Sequence, residues 1–250
     1  MIIFSGLISR FKVIGNAGVM NFKFSEEVVK RIPNIKKLSI KYSKLMGTKI
    51  DEYYRISNIK LLSKLESLKV SCIYYFRGAP YPNYPLTFPQ SLKKLNVLIG
   101  NKFEWEEMLE KMGSLPLLEK LTLWSGIFKT GKWEIVEGQF PSLEYLRLFH
   151  CDGLEHWTAA EDSESIFPRL EKFIIYGAER LKKIPCEIGN ISTLQEIMLI
   201  YCNEALVKSA KEMVEEQMEL QGEQLPFHVV VGNKNKELES LSGPNFEVRR

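Results

Sequence analysis

Residues 140–151 read FPSLEYLRLFHC, and their apolar positions Leu143, Leu146, Leu148 and Cys151 step by three, two and three. A helix would place apolar side chains at intervals of three and four, and a half-buried strand at intervals of two. The stretch therefore belongs to neither pattern alone. Its last two leucines share one face of a short strand, while Leu143 enters that face from the turn before it.

The same L-x-x-L-x-L frame occurs eight times along the chain. Its anchors are Ile8/Phe11/Val13, Ile35/Leu38/Ile40, Leu65/Leu68/Val70, Leu92/Leu95/Val97, Leu118/Leu121/Leu123, Leu143/Leu146/Leu148, Leu170/Phe173/Ile175 and Leu194/Ile197/Leu199. First anchors follow one another at 27, 30, 27, 26, 25, 27 and 24 residues. A leucine-rich repeat has a period of about 20–29 residues. The expected fold is an α/β repeat, a right-handed leucine-rich-repeat solenoid of about eight units with parallel strands on its concave face. Each unit buries its apolar ladder only against its neighbours.

Three residues beyond the last anchor stand Asn16, Ser43, Ile73, Gly100, Gly126, Cys151, Ala178 and Cys202. All but Ile73 are small or are the Asn or Cys usual in leucine-rich repeats, as a tight bend out of the sheet requires, so Cys151 and Cys202 are bend-packing residues. Proline marks the opposite turn at Ile32-Pro33, Phe88-Pro89, Leu115-Pro116, Phe140-Pro141 and Phe167-Pro168. The residue before each proline plugs the core and is expected in extended geometry. Residues 105–112 carry helical spacing, with Trp105, Met108, Leu109 and Met112 on one face. Residues 77–85, with three prolines and two tyrosines, read as an irregular loop, and 161–165 as an acidic insertion. The repeats fill residues 1–202. Residues 203–231 read as a cap, a charged helix over 204–221 with Leu206, Ala210, Met213 and Val214 on its apolar face, then the strand FHVVV. The polar residues 232–250 are expected to be a disordered tail.

Composition excludes several classes. The 250 residues are 45% hydrophobic and 26% charged with a net charge of +3, which suits a globular protein and does not by itself imply nucleic acid. No run approaches the roughly 20 apolar residues of a membrane span. The four cysteines and three histidines show no zinc spacing, and the opening residues are a poor signal peptide, so thiols in a reducing, cytoplasmic setting are expected. No serine–histidine–carboxylate set or acid pair points to catalysis, and no cofactor is implied. Trp105, Trp133 and Trp157 read as convex-side packing.

The residues flanking the inward anchors face the concave side, and there the pattern is informative. Arg10, Lys12, Lys37, Lys41, Lys69, Lys94, Lys120, Arg147 and Lys172 are basic, against the single acid Glu196. Trp124, Phe149, Tyr176 and Tyr201 add aromatics toward the C-terminal end. One reading is a solvated lysine face. The other is a surface for an acidic protein partner, with an aromatic anchor at one end. Nothing in the pattern reads bases.

From about Phe88 to Val231 the order of motifs resembles plant intracellular disease-resistance proteins. The motifs are Phe88-Pro89 with SLKKL, Leu115-Pro116 with LEKL, Phe140-Pro141 with LEYLRL, Leu154-Glu155-His156-Trp157, Phe167-Pro168, Leu181-Lys182-Lys183-Ile184-Pro185 and the helix before FHVVV. They are similar to the C-terminal repeats of the late blight resistance group of coiled-coil, nucleotide-binding, leucine-rich-repeat receptors. The resemblance implies a non-catalytic recognition arm that senses a pathogen protein or restrains a nucleotide-binding domain. The 250 residues contain no G-x-x-x-x-G-K-[ST], so the ATP switch of such receptors does not carry over to them. A rival class is the substrate-recruiting arm of a ubiquitin ligase, which would bring an F-box that these residues do not contain.

Overall fold

A computed structural model describes residues 10–16, 26–43, 57–73, 87–99, 105–125, 128–151, 153–160 and 166–249. One parallel sheet runs through all of it. Its strands are β1 (Arg10–Asn16), β2 (Lys37–Ser43), β3 (Ser67–Ile73), β4 (Lys94–Ile99), β5 (Lys120–Trp124), β7 (Tyr145–Phe149), β9 (Lys172–Tyr176), β10 (Glu196–Ile200), β11 (His228–Gly232) and β12 (Phe246–Arg249), side by side in that order. The remaining two, β6 (Lys132–Ile135) and β8 (His156–Ala159), form a separate two-stranded parallel sheet. The helices α1 (Glu26–Arg31), α2 (Glu106–Gly113) and α3 (Glu204–Gln221) lie in the connections, with 3-10 turns at Ser57–Leu61, Cys186–Asn190 and Lys236–Leu241.

The register follows the anchors. Leu68 stands opposite Leu95, Leu95 opposite Leu121, Leu121 opposite Leu146, Leu146 opposite Phe173 and Phe173 opposite Ile197. From Ile35 to Leu199 every anchor is buried. Side-chain burial alternates along β5, β7 and β10, as a sheet covered on one face demands. Ile8, the loop over 77–85 and the acidic insertion over 161–165 lie outside the described residues.

Each unit closes with the same backbone bonds. The amides of Glu119 and Lys120 both donate to the Lys93 carbonyl, those of Glu144 and Tyr145 to Glu119, and those of Glu171 and Lys172 to Glu144. At the other end of the strand one residue takes a left-handed conformation: Ser125, His150, Gly177 and Tyr201, with φ of 48°, 50°, 66° and 52°. Their amides donate to the carbonyls of Phe149, Tyr176, Ile200 and Gly232 in the next strand. At Gly177 the space is also tight, since a Cβ there would stand 2.7 Å from the ring of His150, which would have to shift. Cys151, Ala178 and Cys202 follow, all buried in the bend. Gly100 and Gly126 lie outside the described residues.

The structure departs from the linear pattern in two places. Phe140 and Phe167 fill the core before their prolines, but with φ of 54° and 48° they are left-handed rather than extended. The proline ring disfavours the right-handed α region for its predecessor, and a turn can escape that clash on the positive side. Residues 232–249 are ordered rather than the disordered tail expected of 232–250. β12 continues the sheet beyond β11, with Phe246 and Leu238 each only 2% exposed. Its far edge is covered by its own chain: Phe246 exchanges backbone bonds with Gly243, and the Val248 amide donates to Ser242 Oγ. A sheet edge that would invite another chain is closed this way.

α3 spans the expected residues, with Leu206, Ala210, Met213 and Val214 buried. Asn203 caps it by accepting from the Leu206 amide at 2.9 Å. The Asn203 side-chain amide also donates to the carbonyls of Ala178, Glu179 and Leu181, tying the helix start to the preceding bend. Trp105 and α2 pack in the core as the spacing predicts. The pairing of β6 with β8 has no counterpart in the repeat frame. It brings Trp133 and Trp157 into a parallel stack with centroids 5.0 Å apart, beside Phe140 and Phe167.

Candidate recognition surface

Parallel in-register stacking turns each outward position of the frame into a column across the sheet, about 4.8 Å per step. The column before the second anchor reads Lys37, Ser67, Lys94, Lys120, Tyr145, Lys172, Glu196 and His228. β1 places Arg10 at the head of this column and Lys12 beside Ser39 in the next. The middle column continues through Lys69, Asn96, Thr122, Arg147, Ile174, Met198 and Val230. The third, at the C-terminal ends of the strands, reads Lys41, Ser71, Leu98, Trp124, Phe149, Tyr176, Ile200 and Gly232.

The face is therefore divided. Lys37, Lys41, Lys69, Lys94 and Lys120 are exposed on its N-terminal part. On β5, β7 and β9 the third column is aromatic. Trp124 lies flat on Phe149, with centroids 3.8 Å apart and planes 4° from parallel. Phe149 meets Tyr176 at 5.7 Å, and Tyr176 meets Tyr201 edge-on at 5.4 Å. Ile174, Met198, Ile200 and Val230 occupy outward register positions beside this row; Ile174 and Val230 are themselves buried, and Met198 and Ile200 are half-buried. The repeat frame hides them, because Ile174 and Met198 stand among inward-facing apolar residues and read as core in the linear pattern.

Between the two parts sits a cation–aromatic cluster. The Arg147 guanidinium lies 4.6 Å from the centre of the Tyr145 ring and donates to its hydroxyl, while Lys120 Nζ stands 5.8 Å from the same ring. Further along the same column Lys172 pairs with Glu196 at 3.0 Å. That hydrogen bond, with the charge behind it, holds the Lys172 ammonium above its ordinary range. On β4, Asn96 Oδ1 is buried without a hydrogen-bond partner among the described residues.

The count of nine bases against one acid overstates the positive field. One residue earlier in each unit runs a second column: Lys36, Glu66, Lys93, Glu119, Glu144 and Glu171. Lys36 pairs with Glu66 at 2.9 Å and Lys93 with Glu119 at 3.6 Å. The hydrogen bond from Lys36 and its charge pull the Glu66 carboxyl below its ordinary range. These carboxylates sit beside the lysine column and dilute it. The signal lies in the words SLKKL and LEKL, where an acid or base repeatedly precedes the inward-flanking position.

Cys202 is buried in its bend, and burial pushes its thiol up to about 11. Among the described residues no group of three or more histidine, cysteine, aspartate or glutamate side chains could hold a metal ion. Among the same residues no helix is long and apolar enough to cross a membrane.

Comparison with known proteins agrees with the repeat wording. A putative late blight resistance protein homolog of Solanum demissum is 32% identical over 197 residues, which is 78% of this chain. The chain is a relative of the late blight resistance proteins. A late blight resistance protein of the same species is 31% identical over 196 residues, and a second putative homolog is 30% identical over 198. The aligned part is 24% of the length of the first of these proteins and 14% of the other two, so the chain spans a minor part of these relatives. No protein-family model matches it.

Proposed function

We propose that the chain is a non-catalytic recognition module of a plant disease-resistance receptor, binding an acidic protein surface across its concave face. That surface belongs either to a pathogen protein or to the receptor's own nucleotide-binding domain. The observation that carries this reading is the ordered aromatic row Trp124–Phe149–Tyr176–Tyr201 beside the exposed lysines Lys94 and Lys120. Rings held by one another lose little freedom when a partner covers them, and aromatic and arginine side chains dominate binding energy at protein interfaces. Arg10, Lys12, Lys37, Lys69, Arg147 and Lys172 extend the same surface. The likeness to late blight resistance proteins supports the biological setting, and the lysines favour encounter with an acidic partner.

The test supplies the nucleotide-binding domain of a late blight resistance protein in trans. Binding is expected to weaken with added salt and to be lost in Phe149→Ala. Lys94→Glu/Lys120→Glu is expected to reduce both affinity and salt dependence. If both variants bind that domain as the unaltered chain does, the face is a solvated surface and the proposal fails.

A further inference from the structure

A second surface lies away from the ten-stranded sheet. A groove of about 600 Å³ opens between β8, the segment 182–187 of the following unit, and α3. Its origin is local. β8 pairs with β6 along one edge only, through His156 donating to the Gly131 carbonyl and Ala160 to that of Ile135. Amides alternate along a strand, so Trp157 and Ala159 direct theirs to the other edge. There the following unit would supply a third strand and does not. Pro185 lacks an amide to donate toward β8, and the neighbouring Ile184 amide, directed the other way, donates to Ser209 Oγ on α3, at 3.2 Å. The segment is bonded to α3, and a gap remains beside β8.

The gap has an apolar floor and an acidic wall. Trp157, Ile184 and Met213 line the bottom, each at most 5% exposed. Glu187, Glu212 and Glu216 line the side formed by α3 and the 3-10 turn Cys186–Asn190. Burial, then the charge of Glu187 and, more weakly, that of Glu216 hold the Cys186 thiol above its ordinary range, so both carboxylates act on this wall. Glu155 also lines the groove but is engaged by Arg180 at 3.3 Å. Lys182 and Lys183 are exposed and oppose the acids, so the three carboxylates of the wall outnumber the two ammonium groups.

We propose that this groove accepts an extended basic peptide segment as a third strand on β8. Main-chain bonds to Trp157 and Ala159 would supply register, alternate apolar side chains would enter the floor, and lysine or arginine side chains would meet Glu212 and Glu216. The concave face selects acidic partners and this groove basic ones, so the two sites are separable by charge alone.

The experiment uses the full chain and a fluorescein-labelled octapeptide of alternating lysine and valine, read by fluorescence anisotropy. Saturable binding is expected at low salt, and none for the peptide with glutamate in place of lysine. Glu212→Lys/Glu216→Lys, both exposed on α3, should lower affinity at least about ten-fold, and Lys182→Glu/Lys183→Glu should raise it. A peptide N-methylated at alternate residues keeps its charge and side chains but cannot add to a strand, and it should lose binding by a similar factor. Phe149→Ala, on the concave face, should change nothing. Absence of binding, equal binding of the N-methylated peptide, or indifference to the Glu212/Glu216 reversal overturns the proposal.

Discussion

Leu146 and Arg147 are chain neighbours on opposite sides of β7, and truncating each to alanine tests the whole register. Leu146 is fully buried, with Leu121 and Phe173 opposite it in the adjacent strands. Leu146→Ala removes about three methylene equivalents at roughly 0.8 kcal/mol each, or about 2.4 kcal/mol of transfer free energy. The neighbours on both sides are themselves held in the stack, so the site collapses little and a cavity contribution adds to this. The expected loss is about 3–4 kcal/mol, inside the range for buried leucine truncations. Arg147 is half-buried on the concave face, and it interacts with the Tyr145 ring and hydroxyl. Arg147→Ala is expected to cost about 0.5–1 kcal/mol. Urea unfolding followed by far-UV circular dichroism measures both, as a shift in midpoint at constant slope. Similar losses at the two positions would refute the alternation on which the concave columns depend.

Burial raises the Cys202 thiol from 9.0 to about 11, so the folded state holds its proton where the unfolded state has released it. Stability is then unaffected below pH 9 and falls as pH rises from 9 toward 11, by at most about 2–3 kcal/mol. Melting temperatures across that window should drop less in Cys202→Ala than in the unaltered chain, once each is compared with its own value at about pH 8, below the thiol's titration. Truncation after Gly232 removes β12 and the turn that covers its edge, and uncovers the edge of β11. The truncated chain should self-associate in light scattering at concentrations where the full chain does not, and equal behaviour would show that the edge needs no cover.

The repeat frame was legible because a core position in this fold has one requirement, apolar bulk, repeated at one spacing. Leu68, Leu95, Leu121 and Leu146 occupy equivalent places in the stack, so an error of register in one unit would have broken the spacing to the next. The outer face has no such redundancy. β6 and β8 pair because two successive units happen to carry KWEI and HWTA, and the next unit carries Pro185 at the corresponding place. The polarity of residues 232–250 resembles a tail, whereas the buried Leu238 and Phe246, with Leu241 and Val248 packed beside the core, dock residues 232–249. On the concave face the aromatics and lysines were visible. The interleaved glutamates were not, since their side chains lie one residue outside the alternation used to find the face.

Stability and the candidate surface rest on different side chains. The anchors, the bends and the left-handed residues hold each strand in place, and the shared carbonyls of Lys93, Glu119 and Glu144 hold its start. None of these devices depends on the outward side chains of the three columns. Stability alone would therefore leave those columns free to be mixed and polar, as a water-facing sheet surface ordinarily is. They are instead sorted, with lysines on one part and the half-buried Trp124, Phe149, Tyr176, Met198 and Ile200 gathered on the other. An apolar gathering on a solvent-facing sheet works against solubility unless something covers it. The ring-to-ring contacts lower that cost within the chain, but Tyr201 at the end of the row is still 48% exposed. A partner surface that covers the row, and brings carboxylates to Lys94 and Lys120, accounts for both halves of the pattern at once.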